Sequence, residues 1–291
     1  MKKYRDKIIS GRILRIIMIA MIVFSLVLCT VGCGDKEEVA KQGSVEVVPE
    51  KEYNFPPADE EGDMITMVRA ITSDEKVCYL TFDDGPTKEV TPLVLDVLKE
   101  KNVKATFFCL GKMLETNPDI AKRAFDEGHL IANHSYNHNY KTLYATSESF
   151  MKEVIDTENK ITEVTGQAPF KLFRFPGGGY NAGDHAAEKQ LYKEDLKKNG
   201  YYYADWNCLN GDAEALNRTP AELVNKIKAT AIEKQLVVLM HDAATKKTTA
   251  EALGEIIDYL KASGYEFKRL DEIDYYVGET EELPSYDEMI L

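Results

Sequence analysis

Histidine is scarce in this chain and tryptophan nearly absent, with five histidines and one tryptophan among 291 residues. None of the five cysteines forms a CxxC pair, so the spacing typical of thiolate zinc sites is missing. Cys78, Cys109 and Cys208 stand at scattered positions, which offers no disulfide framework and reads as buried free thiols. Positive charge is also in deficit, with 36 Lys and Arg against 49 Asp and Glu and a net charge of −13. Nucleic acid is excluded as a partner, because phosphate binding needs a basic face. The glycines Gly177 to Gly179 are not followed by the Lys-Ser/Thr of a phosphate-binding loop. There is no internal repeat and no low-complexity tract, and nothing predicts a protein partner.

The charge that is present is unevenly placed. Six basic residues and one acid precede an apolar run from Ile16 to Cys33, the pattern of an export signal or a membrane anchor. The run closes on Thr30-Val31-Gly32-Cys33, which resembles a bacterial lipobox with Thr30 in the place usually held by Leu. Residues 1–33 are therefore expected to be a signal peptide or membrane anchor. Residues 34–75, acidic and holding Pro49, Pro56 and Pro57, read as a solvated linker. A globular domain is expected over 76–275 and an acidic tail over 276–291. The domain would lie outside the cytoplasm, attached to the cell membrane.

Within the domain, apolar runs alternate with helical stretches. Seven strands are expected, at Val77–Phe82, Lys104–Leu110, His129–Asn133, Lys171–Phe175, Tyr201–Trp206, Gln235–Met240 and Glu266–Leu270. Thr91-Pro92 and Asn117-Pro118 read as helix caps followed by Pro, and Thr219-Pro220-Ala221-Glu222 as a capping box. Gly128 and Gly264 stand where helices should stop. Leu253, Ile256, Ile257 and Leu260 keep the helical period. Strands alternating with helices imply an α/β fold with a parallel sheet, a β/α barrel first and an open doubly wound sheet second. In both, ligands bind at the carboxyl ends of the strands.

The chemically capable residues fall at those ends. Asp83 and Asp84 follow the first strand, and His134 and His138 the third. Arg174 ends the fourth, Asp205 and Trp206 the fifth, and His241 follows the sixth. Spacing of i, i+4 puts His134 and His138 on one side of a helical turn, where they can chelate a divalent metal. With a carboxylate from a neighbouring strand they make a His2Asp set that leaves coordination positions open. A cation bound there would also relieve the repulsion between adjacent Asp83 and Asp84.

The segments TFDDGPT, HSYNH, RFPGGG, DW and LMH, in this order, resemble the motifs of the polysaccharide deacetylases, the NodB-homology carbohydrate esterases. The resemblance covers roughly Lys76 to Asp271. It implies a distorted β/α barrel and metal-dependent removal of N-acetyl, sometimes O-acetyl, groups from sugars. By the same resemblance Asp83 is the general base, and Asp84, His134 and His138 are the ligands of a divalent metal, most often zinc. Gly177 would supply a backbone N–H to the oxyanion. His241 would be the general acid, held charged by Asp205, and Arg174 would pair with Asp83. Leu239 resembles the apolar residue under the acetyl methyl, and Trp206 stands where it could line the sugar site. Many relatives carry an aromatic residue where this chain has Gly177, so one wall of the cleft is expected to be open. His129 and His185 read as structural.

A glycan bearing N-acetyl groups, with peptidoglycan N-acetylglucosamine first, is the expected substrate, because a tethered enzyme reaches only local polymer. An O-acetyl glycan esterase and a non-catalytic glycan-binding surface protein stay open as alternatives.

Overall fold

The computed structural model describes residues 75–179, 185–215 and 217–273. The expected leader, nearly all of the linker and the acidic tail lie outside them. Strand β1 (Val77–Asp83) is buried along its whole length, as an apolar run in the middle of a parallel sheet must be. It pairs residue for residue with β7 (Gln235–His241), from Val77 opposite Gln235 to Asp83 opposite His241. Its other edge is shared. The carboxyl half pairs with β2 (Thr106–Cys109) and the amino half with β8 (Glu266–Phe267). Strands β3 (Leu130–Asn133), β4 (Leu172–Phe173) and β5 (Tyr202–Tyr203) extend the sheet beyond β2, and β6 (Cys208–Leu209) extends it beyond β7. Every pairing is parallel.

The order β5-β4-β3-β2-β1-β7-β6 cannot lie flat. Six inter-strand steps would separate β5 from β6 by about 29 Å. The chain from Tyr203 to Cys208 spans about 18 Å at most. The sheet therefore curls until its two edges approach, giving the distorted barrel the sequence led us to expect. Among the described residues no pairing closes β5 onto β6. Alternation along β1 then decides what is inside: Cys78, Leu80 and Phe82 pack under the helices, while Val77 and Tyr79 join Phe108, Ala132, Leu172 and Val237 in the interior.

All seven expected strands form, several shortened. β4 and β5 keep only two paired residues each, and beyond them side-chain bonds join the backbone ones. Arg174 Nε donates to the carbonyl of Ala204, and Asn207 accepts from Val237 N and donates to Gln235 O. The eighth strand, β6, escapes a sequence reading because two residues carry no period.

Helices α1 (Thr91–Glu100), α2 (Gly111–Thr116), α3 (Pro118–Asp126), α4 (Tyr140–Leu143), α5 (Ser147–Thr165), α6 (Ala186–Lys198), α7 (Pro220–Thr230) and α8 (Lys247–Ala262) cover the outside. The capping box before α7 forms as expected, with Thr219 and Glu222 bonded reciprocally. Gly128 and Gly264 follow α3 and α8 with φ of 86° and 88°, and the apolar stripe of α8 is fully buried. One expected cap is displaced, and the other, Asn117, stands at the N-cap before Pro118 without its side-chain bond. Thr91 lies inside α1 and its hydroxyl serves Thr87 N and Asp242 instead. Asn117 turns its amide to the carbonyl of Pro86. Both side chains are taken by the turn that follows β1.

A second aromatic core lies under α5 and α6, where Phe150 meets Tyr192 at 4.6 Å, Phe173 at 5.3 Å and Phe175 at 5.6 Å between ring centroids. Phe150→Ala is expected to lower the unfolding free energy by about 3–5 kcal/mol. The urea midpoint checks this, and Phe150→Leu should cost clearly less.

Candidate active site

Strand β1 ends on Asp83, and Asp84 then takes a left-handed backbone (φ 77°), with Asp83 Oδ2 3.8 Å and Asp84 Oδ1 3.6 Å from the same nitrogen, His134 Nε2. Asp tolerates that region better than most side chains. Gly85 is obligatory here, since a Cβ would stand 2.1 Å from the Asp242 carboxylate. Asp83 is buried and its Oδ1 accepts from Arg174 Nη1 at 2.9 Å. Asp84 Oδ1 is buried with no hydrogen-bond partner in the structure.

His134 and His138 do not lie on a helix. Residues 134–139 form an irregular turn, with Ser135 and His138 at positive φ (73° and 57°). Side chains take the amides that a helix would have used. Asn133 Oδ1 accepts from Ser135 N, Ser135 Oγ from His138 N and Glu153 from Tyr136 N. The turn nevertheless brings the two rings to 5.2 Å between centroids. Each Nε2 lies 3.6 Å from Asp84 Oδ1, and the three ligand atoms sit within 4.8 Å of one another.

These residues fit a divalent metal. Adjacent ligand atoms on one tetrahedral zinc-sized ion are about 3.4 Å apart, close to the spacing found. His134 Nδ1 donates to the carbonyl of Arg174 at 2.8 Å, which leaves the Nε2 lone pair facing Asp84. Burial, the largest influence, depresses His134 to about 3 despite the pull of Asp84, so its ring is neutral at physiological pH. The unpartnered Asp84 oxygen would gain its missing partner.

Arg174 is fully buried. Besides Asp83 it donates to Thr81 Oγ1 at 2.6 Å and to the carbonyls of Ala204 and Asp205, and its guanidinium lies 4.0 Å over the Phe108 ring. The expected pair with Asp83 is therefore present.

The expected partner of His241 is corrected. His241 Nδ1 donates to Asp212 Oδ1 at 2.7 Å, while Asp205 Oδ1 accepts from Gly179 N. Asp212 Oδ2 also accepts from His241 N and Thr249 Oγ1, which locks the carboxylate plane. Burial alone would lower His241. The hydrogen bond and charge of Asp212, with the charges of Asp83 and Asp84, outweigh it and carry the imidazole up to about 9. Asp212 itself is pushed up by burial but held below the usual carboxylate range by its bonds to His241 and Thr249. Asn210-Gly211-Asp212 reads in sequence as an ordinary turn, and no spacing marks it as a functional one.

Gly177 and Gly178 follow Arg174 with φ of 77° and 83°. The open wall expected at Gly177 is filled: a Cβ there would lie 2.6 Å from the hydroxyl of Tyr140, whose ring sits 5.3 Å from that of His138. Trp206 borders the loop, 3.0 Å from where a Gly178 Cβ would be. Leu239 is buried on β7 beside Thr81 of β1. His129 is a core residue. Its Nδ1 accepts from Ala105 N, and burial lowers it to about 4. His185, at the start of α6, packs its ring on Tyr144.

Residues 70–194 match the model of a family described as polysaccharide deacetylase. The chain is 38% identical over 194 residues to a peptidoglycan-N-acetylglucosamine deacetylase of Listeria monocytogenes, covering 67% of this chain but only 38% of that relative. A protein of the same name from Bacillus cereus is 32% identical over 207 residues, covering 71% of this chain and 92% of that one. The solved catalytic domain of peptidoglycan N-acetylglucosamine deacetylase from Eubacterium rectale superposes with a TM-score of 0.62 and 30% identity, covering 74% of this chain and 99% of that domain. Likeness that runs almost end to end through a relative and through a solved domain is more than a shared motif, and the chain belongs to the polysaccharide deacetylase family.

Proposed function

We propose that this protein is a metal-dependent hydrolase that removes N-acetyl groups from N-acetylglucosamine residues of a cell-wall polysaccharide, peptidoglycan first. One observation carries the reading. The Asp84–His134–His138 triad, the Arg174-paired Asp83 and the Asp212-paired His241 all meet at one rim of the sheet. A glycan-binding module has no use for the last two pairs. The names of the relatives support the polymer.

A bound divalent ion, with zinc the first candidate, would supply Lewis acidity to the acyl carbonyl and acidity to water. The chain's own residues do the rest. Asp83, buried and oriented through Arg174 and Thr81, is placed to take a proton from the attacking water. His241 is charged at neutral pH and gives its proton to the departing amine. The amide N–H of Gly177 is the candidate donor to the developing oxyanion, and Leu239 the candidate apolar residue under the acetyl methyl. Trp206 offers an apolar face to the sugar ring. An O-acetyl ester would meet the same groups, so product analysis separates the two reactions. The apolar run before Cys33 supports export and attachment to the membrane, by lipid or by an uncleaved anchor, and such attachment would put the site next to the wall.

Full-length protein in mild detergent should release acetate and new free amines in equal amounts from a chitin oligomer or purified peptidoglycan. Release should stop with chelator and return with zinc. Acetate without amines would identify an esterase, and no release with metal bound would overturn the hydrolase reading. Asp83→Asn should lower turnover by about 100-fold or more while metal content stays, whereas His134→Ala should lose both. Equal metal loss in the two variants would contradict the roles given. Because His241 must be protonated to act, kcat/KM should fall as pH rises through about 9. In Asp212→Asn that limb should move toward the ordinary imidazole value of 6.5, and an unmoved limb would remove Asp212 from this role.

A further inference from the structure

Three consecutive glycines have no side chains with which to fix their own backbone, and glycine leaves the left-handed region as freely as it enters it. Gly177–Gly179 is nonetheless bordered both in front and behind. In front stand the Tyr140 hydroxyl and, beyond it, the metal-candidate His138. Behind, two side chains grip the loop directly. Gly179 N donates to Asp205 Oδ1 at 2.7 Å, and the carbonyl of Gly178 accepts from Lys189 Nζ at 2.7 Å. Asp205 and Lys189 are both buried, with 6% and 5% of their surface exposed. A carboxylate and an ammonium withdrawn from water on either side of one loop neutralise each other, and each gains a charge-assisted bond to the backbone.

The grip continues into the site. The backbone carbonyl of Asp205 accepts from Arg174 Nη2, and Nη1 of the same guanidinium holds Asp83. One residue, Asp205, therefore ties the glycine loop by its side chain and the base's arginine by its backbone. Lys189 lies on α6, and its ammonium also sits 5.2 Å over the Tyr144 ring. Its aim is fixed by the aromatic core rather than by solvent.

We infer that Asp205 and Lys189 are positioning residues of this active site, holding Gly177–Gly179 beside the metal-ligand triad so that the loop backbone meets the acyl group in one geometry. Its kinetic consequence rests on the deacetylase reading, and its structural consequence does not. Neither residue touches the reacting atoms. What Asp205 supplies is an acceptor for Gly179 N–H, which an asparagine oxygen also supplies, and charge on His241 is the business of Asp212.

The test compares the full-length protein with Asp205→Ala, Asp205→Asn and Lys189→Met, reading kcat, KM, the alkaline limb, bound zinc and thermal unfolding. Asp205→Ala should lose about 10- to 100-fold in kcat with little change in KM. Asp205→Asn should recover most of that loss. The alkaline limb and zinc content should match wild type in both. Lys189→Met, the second variant should Asp205→Ala fail to fold, should also lower kcat. An alanine variant within about twofold of wild type would overturn the inference. So would an asparagine variant as slow as the alanine one, or an alkaline limb that moves. If the wild type releases no acetate, the deacetylase reading fails alone. Hydrogen exchange of the segment holding Gly177–Gly179 then decides the clamp. Exchange faster by about tenfold in Asp205→Ala and restored in Asp205→Asn supports it, and unchanged exchange overturns it.

Discussion

The buried guanidinium of Arg174 is the constraint on which the rest of the site depends. A charge withdrawn from water into the interior of a curled sheet is tolerable only if it is paired and its donors are satisfied. Its side chain reaches Thr81 and Asp83 of β1 and the carbonyls of Ala204 and Asp205 beyond β5. Its backbone bonds Asn133 O at the end of β3 and accepts from His134. One residue thus sets the position of Asp83, the proposed base, of a metal-candidate imidazole and of the segment that carries the sheet toward closure. The parallel register of β1 with β7 then brings His241 opposite Asp83.

Environment divides the labour among chemically identical side chains. His134, buried and bonded to a carbonyl, is kept neutral and fit to bind metal. His241, almost as buried, faces Asp212 with Asp83 and Asp84 nearby, and stays charged. His129 is buried with cations nearby and is driven down to about 4 in the core, far from any chemistry. Opposite shifts of two imidazoles at one rim are what an acid and a ligand require of the same residue type. The aspartates divide likewise. Asp83 meets a guanidinium and Asp212 an imidazolium, whereas the oxygen of Asp84 that faces two imidazoles has no partner.

Backbone strain gathers where the candidate metal ligands are presented, although Asn102 and Asn217 also take positive φ elsewhere. Asp84, Ser135 and His138 all adopt positive φ outside glycine, a conformation that costs free energy and persists only where the surroundings over-determine it. Bonds from Asn133, Ser135 and Glu153 supply that determination around the histidines. At the facing loop the chain uses glycines instead, which removes the strain and leaves the fixing to Asp205, Lys189 and Tyr140. Filling from Tyr140 also explains why a missing aromatic at Gly177 does not leave a hole.

Local chemistry was enough to determine much of this protein from sequence. Buried runs such as Val77–Phe82 and Gln235–Met240 can only be central strands, the Thr219 box can only start a helix, and Asp83, Asp84, His134, His138, Arg174 and His241 are marked by lying just past such strands. What depends on residues distant in the chain was not legible. Asp205 and Asp212 are both acids in polar turns, one after β5 and one after β6, and only the pairing of β6 with β7 decides which one meets His241. The two histidines look like one face of a helical turn, yet side chains from Asn133 and Glu153 claim the amides and make an irregular turn. Two-residue β6 exists because Asn207 and the neighbouring β7 hold it, not because of its own pattern. Hydrophobic period and turn chemistry act over a few residues and can be read there, whereas charge pairing and backbone satisfaction are settled between segments that only the folded chain brings together.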